Sequence, residues 1–131
     1  RSGAIEVHSH THSHVRWDKT YAAAERLAQL EQDLIASRDV LRSRLGRASP
    51  HLCWPWGHRE AGYRETAEKV GYTVQYTVDN GINTPGTDPR EIRRLAVKER
   101  GARWLASRLF IYRHPTLARL YLGVRKTGNA G

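Results

Sequence analysis

His51-Leu52-Cys53-Trp54-Pro55-Trp56-Gly57 is the stretch on which the fold turns. His51 to Trp54, entered from Ser49-Pro50, is a short apolar run of buried-strand character, and it stops at a proline-glycine turn. Behind it, Thr20 to Leu45 reads as a helix. Leu27, Leu30, Leu34, Leu41 and Leu45 recur at three, four and seven residues and make one apolar stripe. Gly46 stops that helix, because glycine takes the left-handed conformation at a helix end without penalty. Ahead of the turn, Arg59 to Val70 reads as a second helix, with Tyr63, Ala67 and Val70 on one side and Gly71 as its stop. Tyr72, Val74, Tyr76 and Val78 then alternate with Thr73, Gln75 and Thr77, the period of a strand.

At the front of the chain, Ala4 to Val7 reads as a strand leading into a histidine-rich loop. At the back, Asn80-Gly81 and Thr84-Pro85-Gly86 punctuate a long loop before a short strand over Ile92 to Val97. A helix from Ala102 to Tyr112 is broken by His114-Pro115 and restarts over Thr116 to Leu122. Strand, helix, strand, helix, strand is the rhythm of an α/β fold with parallel strands and crossover helices. Ligands of such folds bind in the loops at the carboxyl ends of the strands, where the histidines and the Pro-Trp-Gly turn both fall.

The length, 131 residues, predicts a single domain over residues 1–131. A hydrophobic share of 39% with 27% charged residues describes a folded chain and excludes a disordered one. No apolar run approaches the roughly 20 residues of a spanning helix, so no membrane span is expected. Lys and Arg outnumber Asp and Glu by 22 to 13, a net charge of +9. Such a surface attracts nucleic acid, anionic lipid or acidic polymers. No nucleic-acid motif accompanies the charge, so nucleic acid is not an expected partner and the basic residues read as a solvated face. Cys53 stands alone and forms no internal disulfide. The chain opens on Arg1 and contains no Met, and it reads as an internal piece of a longer protein.

Four histidines, His8, His10, His12 and His14, alternate over seven residues. Neutral imidazole is a frequent ligand of zinc, and two or three within reach of one point make a metal site. An extended segment puts the even positions on one face and pairs His8 with His12, whereas a turn after His10 brings His10 and His14 together. On the residues alone both pairs stand open. Trp54 and Trp56 read either as core residues or as indoles that stack sugar rings. His51 and His58, beside the turn, read as structural or solvated.

Glu6-Val7-His8-Ser9-His10-Thr11-His12-Ser13-His14 resembles the second motif of the NodB-type polysaccharide deacetylases, carbohydrate esterase family four. That motif reads Glu-Ile-Gly-Ser-His-Thr-x-Ser/Thr-His, and its two end histidines hold the metal. Trp54-Pro55-Trp56-Gly57 is similar to the family's third motif, an aromatic-Pro-Tyr-Gly turn that walls the substrate groove. Asp88 to Leu95 resembles a late segment of the poly-N-acetylglucosamine deacetylase branch. The resemblance implies an α/β fold, the C-terminal part of a distorted (β/α) barrel. It implies a divalent metal, zinc, held by His10 and His14, with Thr11 bracing the loop. It also implies a groove formed by Trp54, Pro55, Trp56 and Gly57, in which the Trp56 backbone N–H serves the oxyanion. The implied activity is hydrolytic removal of N-acetyl groups from an N-acetylglucosamine-containing glycan.

The sequence departs from the family pattern in three places. Cys53 stands where the third motif has an Arg that orients the catalytic aspartate. His114, the one downstream histidine, lacks the surroundings of the family's general acid. The first motif, Thr-Phe-Asp-Asp, which supplies the third ligand and the base, does not occur. The active site is therefore expected to be incomplete in this chain. Its expected partners are an acetylated glycan and either a missing N-terminal segment or a second copy of the chain. Two further readings follow from the same residues: a metal- or sugar-binding domain of this fold without catalysis, and a deacetylase of O-acetyl esters.

Overall fold

The computed structural model describes residues 5–97 and 99–128. Two compact units divide the chain, residues 1–77 with 87–92 and residues 78–86 with 93–131. The first is built around a short parallel sheet. Strand β1 (His51–Cys53) pairs in parallel with β2 (Val74–Asn80), in the register His51 to Val74, Leu52 to Gln75 and Cys53 to Tyr76. On its other side β1 meets Ser9 in a single parallel bridge to Leu52. The Ser9 N–H donates to the His51 carbonyl at 3.2 Å and the Cys53 N–H donates to the Ser9 carbonyl at 2.9 Å. Leu52 is thereby enclosed from both sides and fully buried.

Helices α1 (Trp17–Thr20), α2 (Arg26–Leu45) and α3 (Tyr63–Val70) complete the unit. Trp17, Leu30, Leu34, Leu52, Trp54, Tyr63, Ala67, Val70 and Tyr72 make one core, with Val15, Tyr21 and Ile35 packed against it. Fully burying a Leu-sized side chain contributes about 1.5–3 kcal/mol, so Leu30, Leu34 and Leu52 alone account for several. Helices α2 and α3 both end as the sequence predicts. Gly46 has φ 74° with its N–H on the Arg42 carbonyl, and Gly71 has φ 107° with its N–H on Ala67 and Glu68.

Several expectations shift. Ile5 to Val7 are in no strand, and pairing starts at Ser9 instead; Ala4 lies outside the described residues. Helix α2 starts at Arg26, because the separate turn α1 and the segment after it occupy the residues from Trp17 on. Helix α3 starts at Tyr63, since Gly62 before it is left-handed with φ 83°. The alternation in β2 runs opposite to the hydrophobic reading: Gln75 and Thr77 are fully buried, while Val78 is exposed. Gln75 can lie in the core because its amide is satisfied there. Its Oε1 accepts the Trp54 indole N–H at 3.1 Å, and its Nε2 donates to the carbonyls of Arg64 and Tyr72.

In the second unit, side-chain amides tie the segment after β2 to the residues beyond it. Asn83 donates to the Arg93 carbonyl and accepts the Arg93 N–H, both at 2.9 Å, and Asn80 accepts the Ala96 N–H at 3.2 Å. Strand β3 (Ile92–Arg94), shorter than predicted, joins the sheet in the order β1-β2-β3. Helices α4 (Ala102–Arg113) and α5 (Pro115–Gly128) follow, Pro115 opening α5 where no N–H is needed. The Arg108 guanidinium lies over Trp104 at 5.4 Å and Tyr121 at 4.6 Å. No helix among the described residues is long and apolar enough to cross a membrane.

Candidate functional site

Parallel pairing of Ser9 with β1 delivers two loops to the same sheet end: the histidine loop after Ser9 and the Pro-Trp-Gly turn after Cys53. His10 and His14 converge there, their Nε2 atoms 3.2 Å apart and their ring centres 4.9 Å apart. The His10 Nδ1 lies 2.6 Å from the Cys53 carbonyl. A carbonyl can only accept, so Nδ1 is the donor here, and in the neutral ring this leaves the lone pair on Nε2, the atom that faces His14. This is the arrangement by which a backbone carbonyl orients a metal-binding imidazole. His14 in turn packs against the Trp56 indole, ring centres 4.2 Å apart.

The backbone here is held in conformations that L-residues avoid. Among the described residues, three that are not glycine have positive φ: Thr11 at 69°, His14 at 53° and Trp56 at 52°. All three belong to these two loops, and Thr is β-branched, which makes its case the more unusual. The loop is fixed amide by amide. Ser9 Oγ accepts the Thr11 N–H at 3.2 Å, and Thr11 Oγ1 accepts the His14 N–H at 3.2 Å. Asp33, on α2, accepts the His12 N–H at 2.9 Å and the Ser13 N–H at 2.8 Å, one on each carboxylate oxygen. One turn on, Ser37 Oγ meets Ser9 Oγ at 2.7 Å in a buried contact.

The other two histidines of the loop take different partners. His8 turns to Ser49, Nδ1 to Oγ 2.9 Å, and stacks on His51 with ring centres 4.6 Å apart. His51 in turn is 2.7 Å from the Tyr76 hydroxyl, and burial together with the neighbouring His8 lowers its pKa below the usual histidine value. His12 engages Asp33 through its backbone, and its side chain is exposed. In the turn, Trp54, Pro55 and Gly57 are buried, and Trp54 belongs to the core. Trp56, 52% exposed, is the member whose side chain faces solvent. Cys53 enters through its carbonyl and N–H. Asp33 and Ser37 were missed by the sequence reading; the readable signal was Ser37, a polar residue in step with the Leu30–Leu34 stripe.

His10 and His14 fit a divalent ion. Tetrahedral ligands about 2.0–2.1 Å from zinc stand about 3.3 Å from one another, close to the observed spacing of the two nitrogens. A second group does not fit. Asp18, His58 and Glu60 bring ligand atoms within 4.8 Å of one another. Yet Arg16 already donates to both Asp18 oxygens, at 2.7 and 2.6 Å, and Arg26 pairs with Glu60 at 3.1 Å. Two guanidiniums already neutralise the two carboxylates, and a dication would have to displace them. The group is a structural ion-pair network tying α1 and α2 to the segment after the turn.

The polysaccharide deacetylase family model matches residues 1–75, which include both loops, Asp33 and β1. Among solved structures, the chain is similar to the BpsB deacetylase domain from Bordetella bronchiseptica. Identity is 31% over 56% of this chain and 28% of that one, with a TM-score of 0.53. It is also similar in fold to a de-N-acetylase from Aggregatibacter actinomycetemcomitans, at 23% identity over 66% of this chain and 33% of that one, with a TM-score of 0.56. The chain thus spans about a third or less of either structure. A search of curated proteins returns no match. Its parallel sheet and crossover helices are part of a NodB-type (β/α) barrel, and with more than half of its residues inside the family model the chain belongs to the polysaccharide deacetylase family.

Proposed function

We propose that this chain carries the metal-holding and groove-lining portion of a metal-dependent N-deacetylase acting on N-acetylglucosamine units of a polysaccharide. The observation behind this reading is the convergence of His10 and His14 Nε2 at 3.2 Å, with His10 oriented by the Cys53 carbonyl, inside the residues matched by the family. His10 and His14 would hold the ion. When bound, a zinc-like ion supplies a Lewis acid that polarises the acetamide carbonyl and makes water a nucleophile near neutral pH.

The chain's own groups do the rest of what we assign here. Trp56 offers its exposed indole as a platform for a sugar ring, carried from beneath by buried Trp54, Pro55 and Gly57. The Trp56 backbone N–H is our candidate donor to the carbonyl oxygen as negative charge grows on it. Hydrolysis joins the water oxygen to the acetyl carbon and breaks the C–N bond. The nitrogen leaves protonated as the amine of a glucosamine unit, and acetate departs. The water's proton needs a carboxylate base; the Thr-Phe-Asp-Asp motif to which the resemblance assigns it does not occur in residues 1–131.

Zinc titration of the chain by calorimetry tests the ligand set apart from turnover. One ion per chain is expected, with binding abolished in His10→Ala and His14→Ala. His8→Ala and His12→Ala should change affinity by roughly ten-fold at most, since neither ring meets the site. Equal losses at all four positions would replace this ligand set with another. The substrate assignment is read from acetate release, using the chain and any longer polypeptide that contains it. Release from O-acetylated but not N-acetylated sugars would overturn it.

A further inference from the structure

We infer that Asp33 is a positioning residue, which sets the spacing of His10 and His14 through the main chain of their loop while touching neither ring. The inference rests on the metal-site reading above and adds to it the device that holds the ligands. Four successive amides, Thr11 to His14, are all taken by side-chain oxygens: Ser9 Oγ, both oxygens of Asp33, and Thr11 Oγ1. Two of these four residues, Thr11 and His14, sit at positive φ, so the loop left to itself would relax to ordinary backbone angles.

The Ser9 and Thr11 oxygens belong to the loop's own segment and move with it. Asp33 belongs to α2, whose Leu30 and Leu34 are fully buried in the core. It is thus the fixed point from which two loop amides hang, helped by the Ser37–Ser9 contact one helical turn away. A carboxylate suits this task because its planar pair of oxygens, both acceptors and both charged, matches two neighbouring N–H groups. An amide of the same shape would turn one of those oxygens into a donor facing a donor.

The test compares the wild-type chain with Asp33→Asn and Asp33→Glu, by zinc calorimetry and by amide hydrogen exchange. In Asp33→Asn we expect zinc affinity to fall by 10-fold or more and the His12 and Ser13 amides to exchange at least 10-fold faster. Amides of β1 and α3 should keep their wild-type rates, showing that the fold survives. Asp33→Glu, which keeps the charge and both acceptors on a longer stem, should recover part of the affinity. Unchanged zinc affinity in Asp33→Asn would overturn the proposal, whether or not the loop amides exchange faster. General acceleration of exchange together with no recovery in Asp33→Glu would also overturn it, because Asp33 would then support the fold and not the loop.

Should the wild-type chain bind no zinc, the metal reading falls by itself. Asp33 is then judged on the His10 ring by ¹⁵N NMR. A single Nδ1–H tautomer in the wild type, mixed in Asp33→Asn, supports the positioning role, and an unchanged signal ends it.

Discussion

Asp18 shows how one side chain ties acid resistance to local geometry. Its carboxyl is held down to about 2, first by the two hydrogen bonds from Arg16 and further by the nearby charges of His58 and Arg16, against an opposing effect of desolvation. Arg16 is correspondingly raised, by the same hydrogen bond. A carboxyl depressed in the folded state stabilises the fold at pH above its ordinary value of 3.8, and that stability is lost as pH falls toward about 2. The chain should therefore lose stability over this window, and Asp18→Asn should flatten the loss. Urea melts on a pH series would show it, and identical slopes in the two proteins would place the acid-labile group elsewhere. The pair is partly solvated, so it acts as a local tie and not as a main source of stability.

Helix α2 is where sequence and structure can be compared most closely. Its existence, its glycine stop and the burial of Leu30 and Leu34 follow from spacing alone, because a long helix on a sheet must bury one stripe. Leu27 departs from the stripe: it is 43% exposed and lies against Gly62, where a Cβ would come within 3.0 Å of its Cδ1. Leu34→Ala should accordingly cost about 2–5 kcal/mol, and Leu27→Ala less than about 1 kcal/mol, in urea denaturation. Comparable costs would mean that Leu27 is buried in solution. The histidine pattern pointed to a metal and the Pro-Trp-Gly turn to a groove, yet the clamp between them was not legible. Asp33 reads as one more charge on a solvated helix face, and the role of Cys53 rests on a carbonyl that every residue type possesses. The buried side of β2 was also misread, since hydrophobicity cannot show that Gln75 finds partners for its amide in the core.

For the molecule as a whole, the amino ends of the strands contrast with the site. Ile5, 84% exposed, and Val7, 52% exposed, line a cleft with Leu45, Ala48 and Pro50, beside a β1 neighbour that is paired at Ser9 alone. Apolar side chains next to an unpaired strand edge recruit further strands. Light scattering should show the chain self-associating as concentration rises, and Ile5→Lys with Val7→Lys should reduce this. A species of 15.0 kDa at every concentration would mean the edge is inert. At the opposite end of the strands, the loop that carries His10 and His14 is shaped by residues far away in sequence, Asp33 and Ser37 on α2 and Cys53 on β1. Its information is therefore not portable. A synthetic peptide of residues 8–15, or the same eight residues grafted onto a foreign scaffold, would carry the imidazoles without the template that aims them. Anyone transplanting this motif must move a helix and a strand along with it.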